Sequence, residues 1–95
     1  MQTNRLTVVG GPVAVRAFED SDWLTVVKGR HADVLECAPA RFACQFETSK
    51  SPLSALQKLS RQHPRLVLLL DYEVGRTKGL AKAKAGELEH CEIGY

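Results

Sequence analysis

From Arg41 to Thr48 apolar and polar residues alternate, with Phe42, Cys44, Phe46 and Thr48 on one side of an extended chain and Arg41, Ala43, Gln45 and Glu47 on the other. A period of two predicts a strand with one face in a core and the other wet. Immediately downstream the period changes. Leu53, Ala55, Leu56 and Leu59 recur at helical spacing behind Ser51 and Pro52, residues suited to the cap and the first position of a helix. Lys58, Arg61 and Gln62 fall on its outer side, and Pro64 ends it, because the residue before a proline is pushed out of helical geometry. The run Leu66-Val67-Leu68-Leu69-Leu70 follows at once, apolar on both faces and short enough to be a central strand within Arg65 to Tyr72. Strand, capped helix and strand make one supersecondary unit between Phe42 and Gly79, around which the rest of the chain is arranged.

The flanking pattern is weaker. Asn4 to Gly10 reads as a strand stopped by Gly10-Gly11, and Pro12 to about Glu19 as a helix with Val13, Ala14, Ala17 and Phe18 in its apolar stripe. Periodicity does not decide the conformation of Asp20 to His31, where Trp23 to Val27 suits a helix or a strand equally and Lys28-Gly29-Arg30 suits a turn. Asp33 to Cys37 is a further strand, joined to the next around Ala38-Pro39-Ala40. Toward the C-terminus, Gly75 and Gly79 bracket a basic turn containing Arg76 and Lys78. Leu80 to Ala85 and Leu88 to Ile93 flank Gly86-Glu87, a glycine-first loop that predicts a hairpin pairing Lys84 with Glu89, Lys82 with Cys91 and Leu80 with Ile93.

Composition changes this picture little. The 95 residues suffice for one domain, 44% apolar and 25% charged, as in ordinary globular chains. No apolar run approaches the length of a membrane span, and the N-terminus lacks the basic flank and apolar core of a secretion signal, so no membrane role and a cytoplasmic location are expected. Cys37, Cys44 and Cys91 are odd in number and unpatterned, which fits reduced thiols. Net charge is only +2, but residues 1–48 carry five basic and six acidic side chains (−1) and residues 49–95 eight basic and five acidic (+3). This mild asymmetry either steers a partner or carries no meaning.

Chemistry finds no foothold. His31, His63 and His90 are not spaced with the cysteines as zinc ligands, so neither a metal nor any other cofactor is expected. His90 and Cys91 adjoin in sequence, which on a strand sends them to opposite faces. Asp71 and Glu73 share a strand face, but Tyr72 and Gly75 suggest a solvent-facing strand end there. No catalytic residue is assigned. Lys58, Arg61, Arg65, Arg76 and Lys78 form the candidate partner-binding rim. Phosphates of a nucleic acid are the alternative ligand of that rim, and Phe42 and Phe46 would stack bases only if the sheet face they occupy were exposed.

Asn4-Arg5-Leu6-Thr7-Val8, Phe46-Glu47-Thr48 leading to Ser51-Pro52, Leu56 and Ser60 of the helix, Pro64 with Leu66, and Asp71-Tyr72-Glu73 with Gly75 form an ordered set. In that set the chain resembles small ferredoxin-like-domain proteins carried by bacterial plasmids and phages. Lys50 and the stretch Gly75-Arg76-Thr77-Lys78-Gly79 depart from that family, which tends to carry aromatic residues there. The resemblance implies a single α+β domain over residues 1–95, a ferredoxin-like two-layer sandwich with a mainly antiparallel sheet, two helices on one face and a C-terminal hairpin. It also implies a non-enzymatic, protein-binding module that occupies a host protein complex, with inhibition of a host defence complex such as a CRISPR effector in that class. Such a domain is expected as a monomer or as a homodimer paired through the C-terminal hairpin.

Overall fold

The alternation read at Arg41–Thr48 recurs in Val67–Val74 and Thr77–Lys84, whereas Arg30–Ala38 and Glu87–Gly94 are exposed along nearly their whole length. In the computed structural model, which describes residues 1–94, the described residues form β1 (Gln2–Val9), α1 (Pro12–Glu19), α2 (Trp23–Val26), β2 (Arg30–Ala38), β3 (Arg41–Thr48), α3 (Leu53–Gln62), β4 (Val67–Val74), β5 (Thr77–Lys84) and β6 (Glu87–Gly94). The strands make one sheet in the order β2-β3-β1-β4-β5-β6, and every neighbouring pair is antiparallel. The chain is thus an α+β domain with six strands and three helices rather than two. The additional helix is α2, in the segment whose periodicity was undecided. Trp23 anchors it by stacking on Phe18 with ring centroids 5.6 Å apart and by meeting Phe42 and Phe46 edge-on at 5.9 and 5.6 Å. No helix among the described residues is long and apolar enough to cross a membrane.

One sheet face carries the core. Leu6, Val8, Phe42, Cys44, Phe46, Leu68, Leu70, Tyr72, Ala81 and Ala83 are buried on it, and Val15, Phe18, Leu56 and Leu59 of the helices complete the cluster. In α1 the inward residues are Val15 and Phe18 with Ala14 alongside, whereas Val13 is 86% exposed and Ala17 is exposed. The expected stripe of Val13, Ala14, Ala17 and Phe18 is therefore rotated by part of a turn, because Val15 is the residue that reaches the sheet. Ser51 does not cap α3: the N-cap is Pro52, whose carbonyl accepts from the Leu56 N–H at 2.8 Å, with no side-chain cap. Proline cannot donate, so placing it just before the first turn leaves no additional donor unsatisfied.

Polar residues also enter the core side. Asn4 is fully buried and donates to Thr48 Oγ1 at 3.0 Å, while Gln2 Nε2 donates to Asn4 Oδ1 at 2.7 Å. This network ties β1 to β3 in one register, since a two-residue slip would strand a buried amide.

The C-terminal hairpin is present with a different turn. Lys84 pairs with Glu87, Lys82 with Glu89, Leu80 with Cys91 and Lys78 with Ile93, so the loop is Ala85-Gly86 and not Gly86-Glu87. Ala85 (φ 50°) and Gly86 (φ 86°) both lie in the left-handed region, which a type I′ turn requires at both central positions. The β4–β5 turn is likewise tighter than expected. It consists of Gly75-Arg76 alone, with Lys78 and Gly79 already inside β5.

Candidate functional site

The helices cover one face of the sheet and leave the other open. By the alternation of each strand, that open face presents Thr3, Arg5 and Thr7 from β1, Leu69, Asp71 and Glu73 from β4, Lys78, Leu80 and Lys82 from β5, and Glu89, Cys91 and Ile93 from β6. Cross-strand partners point to the same side, so Gln45, Arg5, Asp71, Leu80 and Cys91 form one row across it. Ala43, Thr7, Leu69, Lys82 and Glu89 form the adjacent row.

An open trough of about 500 Å³ lies on this face between Arg5, Asp71, Glu73, Lys78, Leu80 and Ile93. A second of about 490 Å³ continues past Leu69, Lys82 and Glu89, with Asp71, Leu80 and Cys91 common to both. Leu80 is 62% exposed, Ile93 64% and Leu69 39%. Large aliphatic side chains standing out of a strand beside small inward ones (Gly79, Ala81, Ala83) invert the usual arrangement. The inversion has a physical cause on the inner side: Tyr72 lies across Gly79, where an added Cβ would overlap its ring, and α3 packs over β5.

Charge on the open face alternates from strand to strand. β4 contributes Asp71 and Glu73, β5 contributes Lys78, Lys82 and Lys84, and β6 contributes Glu87 and Glu89. Among the described residues the ion pairs within 4 Å lie elsewhere, at Arg16–Asp20 (3.3 Å) and Arg41–Glu36 (2.7 Å). The sheet-face charges therefore sit side by side without closing into tight pairs.

Reactive groups do not converge. Cys91 opens onto this face while His90, opposite Ala81, points to the other, as the strand alternation predicts. Burial pushes the Cys44 thiol up, and the Cys37 thiol is pushed up by the hydrogen bond that Cys37 Sγ donates to Glu19 at 3.1 Å, so both hold their protons. His63 rests edge-on against Phe18 at 5.1 Å, and burial lowers its pKa. No group of three or more metal-ligating side chains occurs among the described residues.

The five basic residues singled out by sequence are all exposed but do not make one surface. Lys58 and Arg61 lie on α3, and Arg65 follows in its link to β4. The Arg61 side chain runs against the β5–β6 turn, within 2.7 Å of where a Gly86 Cβ would stand. Arg76 sits in the β4–β5 turn, and Lys78 is on the open face opposite Glu73. The eight residues of β4 separate Arg65 from Arg76, about 26 Å at ~3.3 Å per residue. Arg61 and Arg65 thus belong to one end of the molecule, and Arg76 and Lys78 to the other. Leu69, Leu80, Cys91 and Ile93, which carry no charge, are the residues that the fold gathers. The signal for them was the alternation of small and large residues along Gly79-Leu80-Ala81-Lys82-Ala83.

No family model, curated protein or solved structure matches the chain.

Proposed function

We propose that the protein is a non-enzymatic protein-binding module that acts by occupying a surface on a larger complex, and that its contact surface is the open sheet face beside β6. The observation that carries this reading is the exposure of Leu69, Leu80 and Ile93 around a shallow trough whose flanking charges alternate in sign. A face with apolar centres and charges of both signs suits a protein surface of mixed polarity. Inhibition of a host defence complex, the class that the family resemblance implies, is one way for such a face to act. We also read the segment β1 to β4 as ferredoxin-like, with the β5–β6 hairpin as an extension; the strand order β2-β3-β1-β4 with helical crossovers before β2 and before β4 supports this.

Nucleic-acid binding through the basic residues is the less favoured reading. Phe42, Phe46 and Tyr72 are buried on the helix side, which leaves no aromatic among them to stack a base on the open face. Asp71, Glu73 and Glu89 stand among the lysines there, and carboxylates repel phosphates.

A photoreactive side chain placed at position 80, and separately at position 58, tests the proposal in cells of the natural host. The expected result is a discrete protein adduct from position 80 that Ile93→Arg removes without changing the unfolding midpoint. Adducts to nucleic acid from position 58, with none from position 80, would overturn it, as would silence at both.

A further inference from the structure

The two edges of the sheet are not equivalent. β2 keeps register with β3 only in pieces, with breaks between Arg30 and Asp33 and between Val34 and Glu36, and His31 is held at φ 53°. Bulges and an irregular backbone blunt an edge against further pairing. β6 has neither. Its eight residues pair with β5 without interruption from Glu87 to Gly94, and none is proline. Beside a two-residue turn the flanking pair exchanges both backbone hydrogen bonds, and the pattern then repeats at every second residue. That leaves the N–H and C=O of Leu88, His90 and Glu92 directed at the free side.

The side chains narrow what can pair there. On the open face the sign changes at each step outward, from carboxylates on β4 to lysines on β5 to Glu87 and Glu89 on β6. The next strand in that series is basic. A second copy of β6 does not supply it, because β6 contains Glu87, Glu89 and Glu92 and no Lys or Arg: antiparallel self-pairing about His90 sets Glu87 and Glu89 opposite Ile93 and Cys91 with no cation to meet them, and pairing about Glu89 sets Glu89 against its own copy. Like charges directly opposite are destabilising. Farther along, Cys91 and Ile93 lie beside the exposed Leu80 and offer the same incoming strand an apolar seat.

We infer that β6 is a receiving edge, which adds an extended segment of a partner protein carrying Lys or Arg at alternate positions toward the open face and an apolar residue near Ile93. Main-chain hydrogen bonds to Leu88, His90 and Glu92 supply affinity, and Glu87 and Glu89 select the charge of the incoming strand. This rests on the protein-binding reading above and states its mode.

The test uses the full chain with synthetic end-blocked peptides of about nine residues, the length of an ordinary strand, one alternating Lys with Val and one alternating Glu with Val. Amide exchange followed by NMR is expected to slow by about tenfold or more at Leu88, His90 and Glu92 with the basic peptide and not with the acidic one. His90→Pro removes an outward N–H without touching the β5 ladder, a placement that edge strands tolerate, and is expected to abolish the protection. Glu89→Lys is expected to shift the preference toward the acidic peptide, a readout that does not depend on the proline variant folding. Equal protection by both peptides, protection by neither, or protection that grows with protein concentration alone would overturn the inference, the last by making a second copy the occupant. The two readings fail separately: an adduct from position 80 that survives in His90→Pro leaves protein binding standing and removes strand addition.

Discussion

Tyr72 occupies space that Gly79 leaves open. The two residues are cross-strand partners, and the phenol passes over the glycine to donate to Glu92 Oε1 at 2.6 Å. One side chain thereby links β4, β5 and β6 on the inner face. The sequence suggested a solvent-facing strand end here, yet Tyr72 is only 4% exposed, because the missing Cβ at position 79 lets its ring lie flat on the sheet. Burial first, then the hydrogen bond and the charge of Glu92, push the Tyr72 phenol from its ordinary value of 10.0 up to about 12. The folded state therefore holds this proton more tightly than the unfolded chain does. Its stabilising contribution is whole below pH 10 and is lost as pH rises through 12. Tyr72→Phe keeps the ring and removes both the bond and the titration, at an expected cost of about 1 kcal/mol near neutral pH. Urea midpoints measured against pH should show the gap between wild type and Tyr72→Phe closing across that alkaline window; a constant gap would remove the titration, and coincident curves would show that the phenol contributes nothing.

At the scale of elements, the β5–β6 hairpin is held at its tip as well as along its strands. Ser60 of α3 is fully buried, donates to the Gln57 carbonyl at 2.7 Å and accepts from the Gly86 N–H at 2.9 Å. Gln57 Nε2 donates to the Gly86 carbonyl at 2.8 Å, so both backbone groups of one turn residue end on α3. Ser60→Ala leaves the Gly86 N–H without its partner and should cost about 1–3 kcal/mol, with amide exchange accelerated in the turn and less so in the middle of β5. Ala85 is an alanine in a left-handed position that asparagine tolerates better. Ala85→Asn should accordingly raise stability by about 0.5–1 kcal/mol in chemical denaturation. The same residues show why the hairpin was legible from sequence and its register was not. Gly86 announces a turn, but a glycine-first loop and an Ala-Gly loop differ by one position. The charge pairs do not arbitrate, since Lys84 meets a glutamate in either register. Strand β3 and helix α1, by contrast, have the boundaries expected of them, because Phe42, Cys44 and Phe46 fix the alignment of β3 with the core and Pro12 fixes where α1 begins, although the stripe of α1 turns on Val15 rather than on Val13 and Ala17. What the periodicity of α2 could not decide, Trp23 decided by packing among Phe18, Phe42 and Phe46, a contact between segments distant in sequence.

For the molecule as a whole, the division of labour between the two sheet faces is the central fact. Sequence identified the inner face well, since Phe42, Phe46, Leu56, Leu59, Leu68 and Leu70 are all buried. It read Leu69 as core too, because five consecutive apolar residues suggest a strand covered on both sides, whereas β4 is interior in the sheet and open on one face. The basic residues chosen as a rim were sound as exposed positions and divided as a surface, because strand direction sends Arg65 and Arg76 to opposite ends. If the open face exists for a partner, its aliphatic residues contribute little to folding. Leu80→Thr and Ile93→Thr should each change stability by no more than about 0.5 kcal/mol. Leu68→Ala and Leu70→Ala, on the inner face of the strand next to β5, should each cost about 2–5 kcal/mol because they leave cavities that the sheet and helices cannot close. Chemical denaturation of the four variants separates the alternatives. A cost for Leu80→Thr as large as that for Leu68→Ala would mean that the open face is a second core in an assembled state, and the midpoint would then depend on protein concentration. A small and concentration-independent cost would mean that Leu80 and Ile93 are free for a partner.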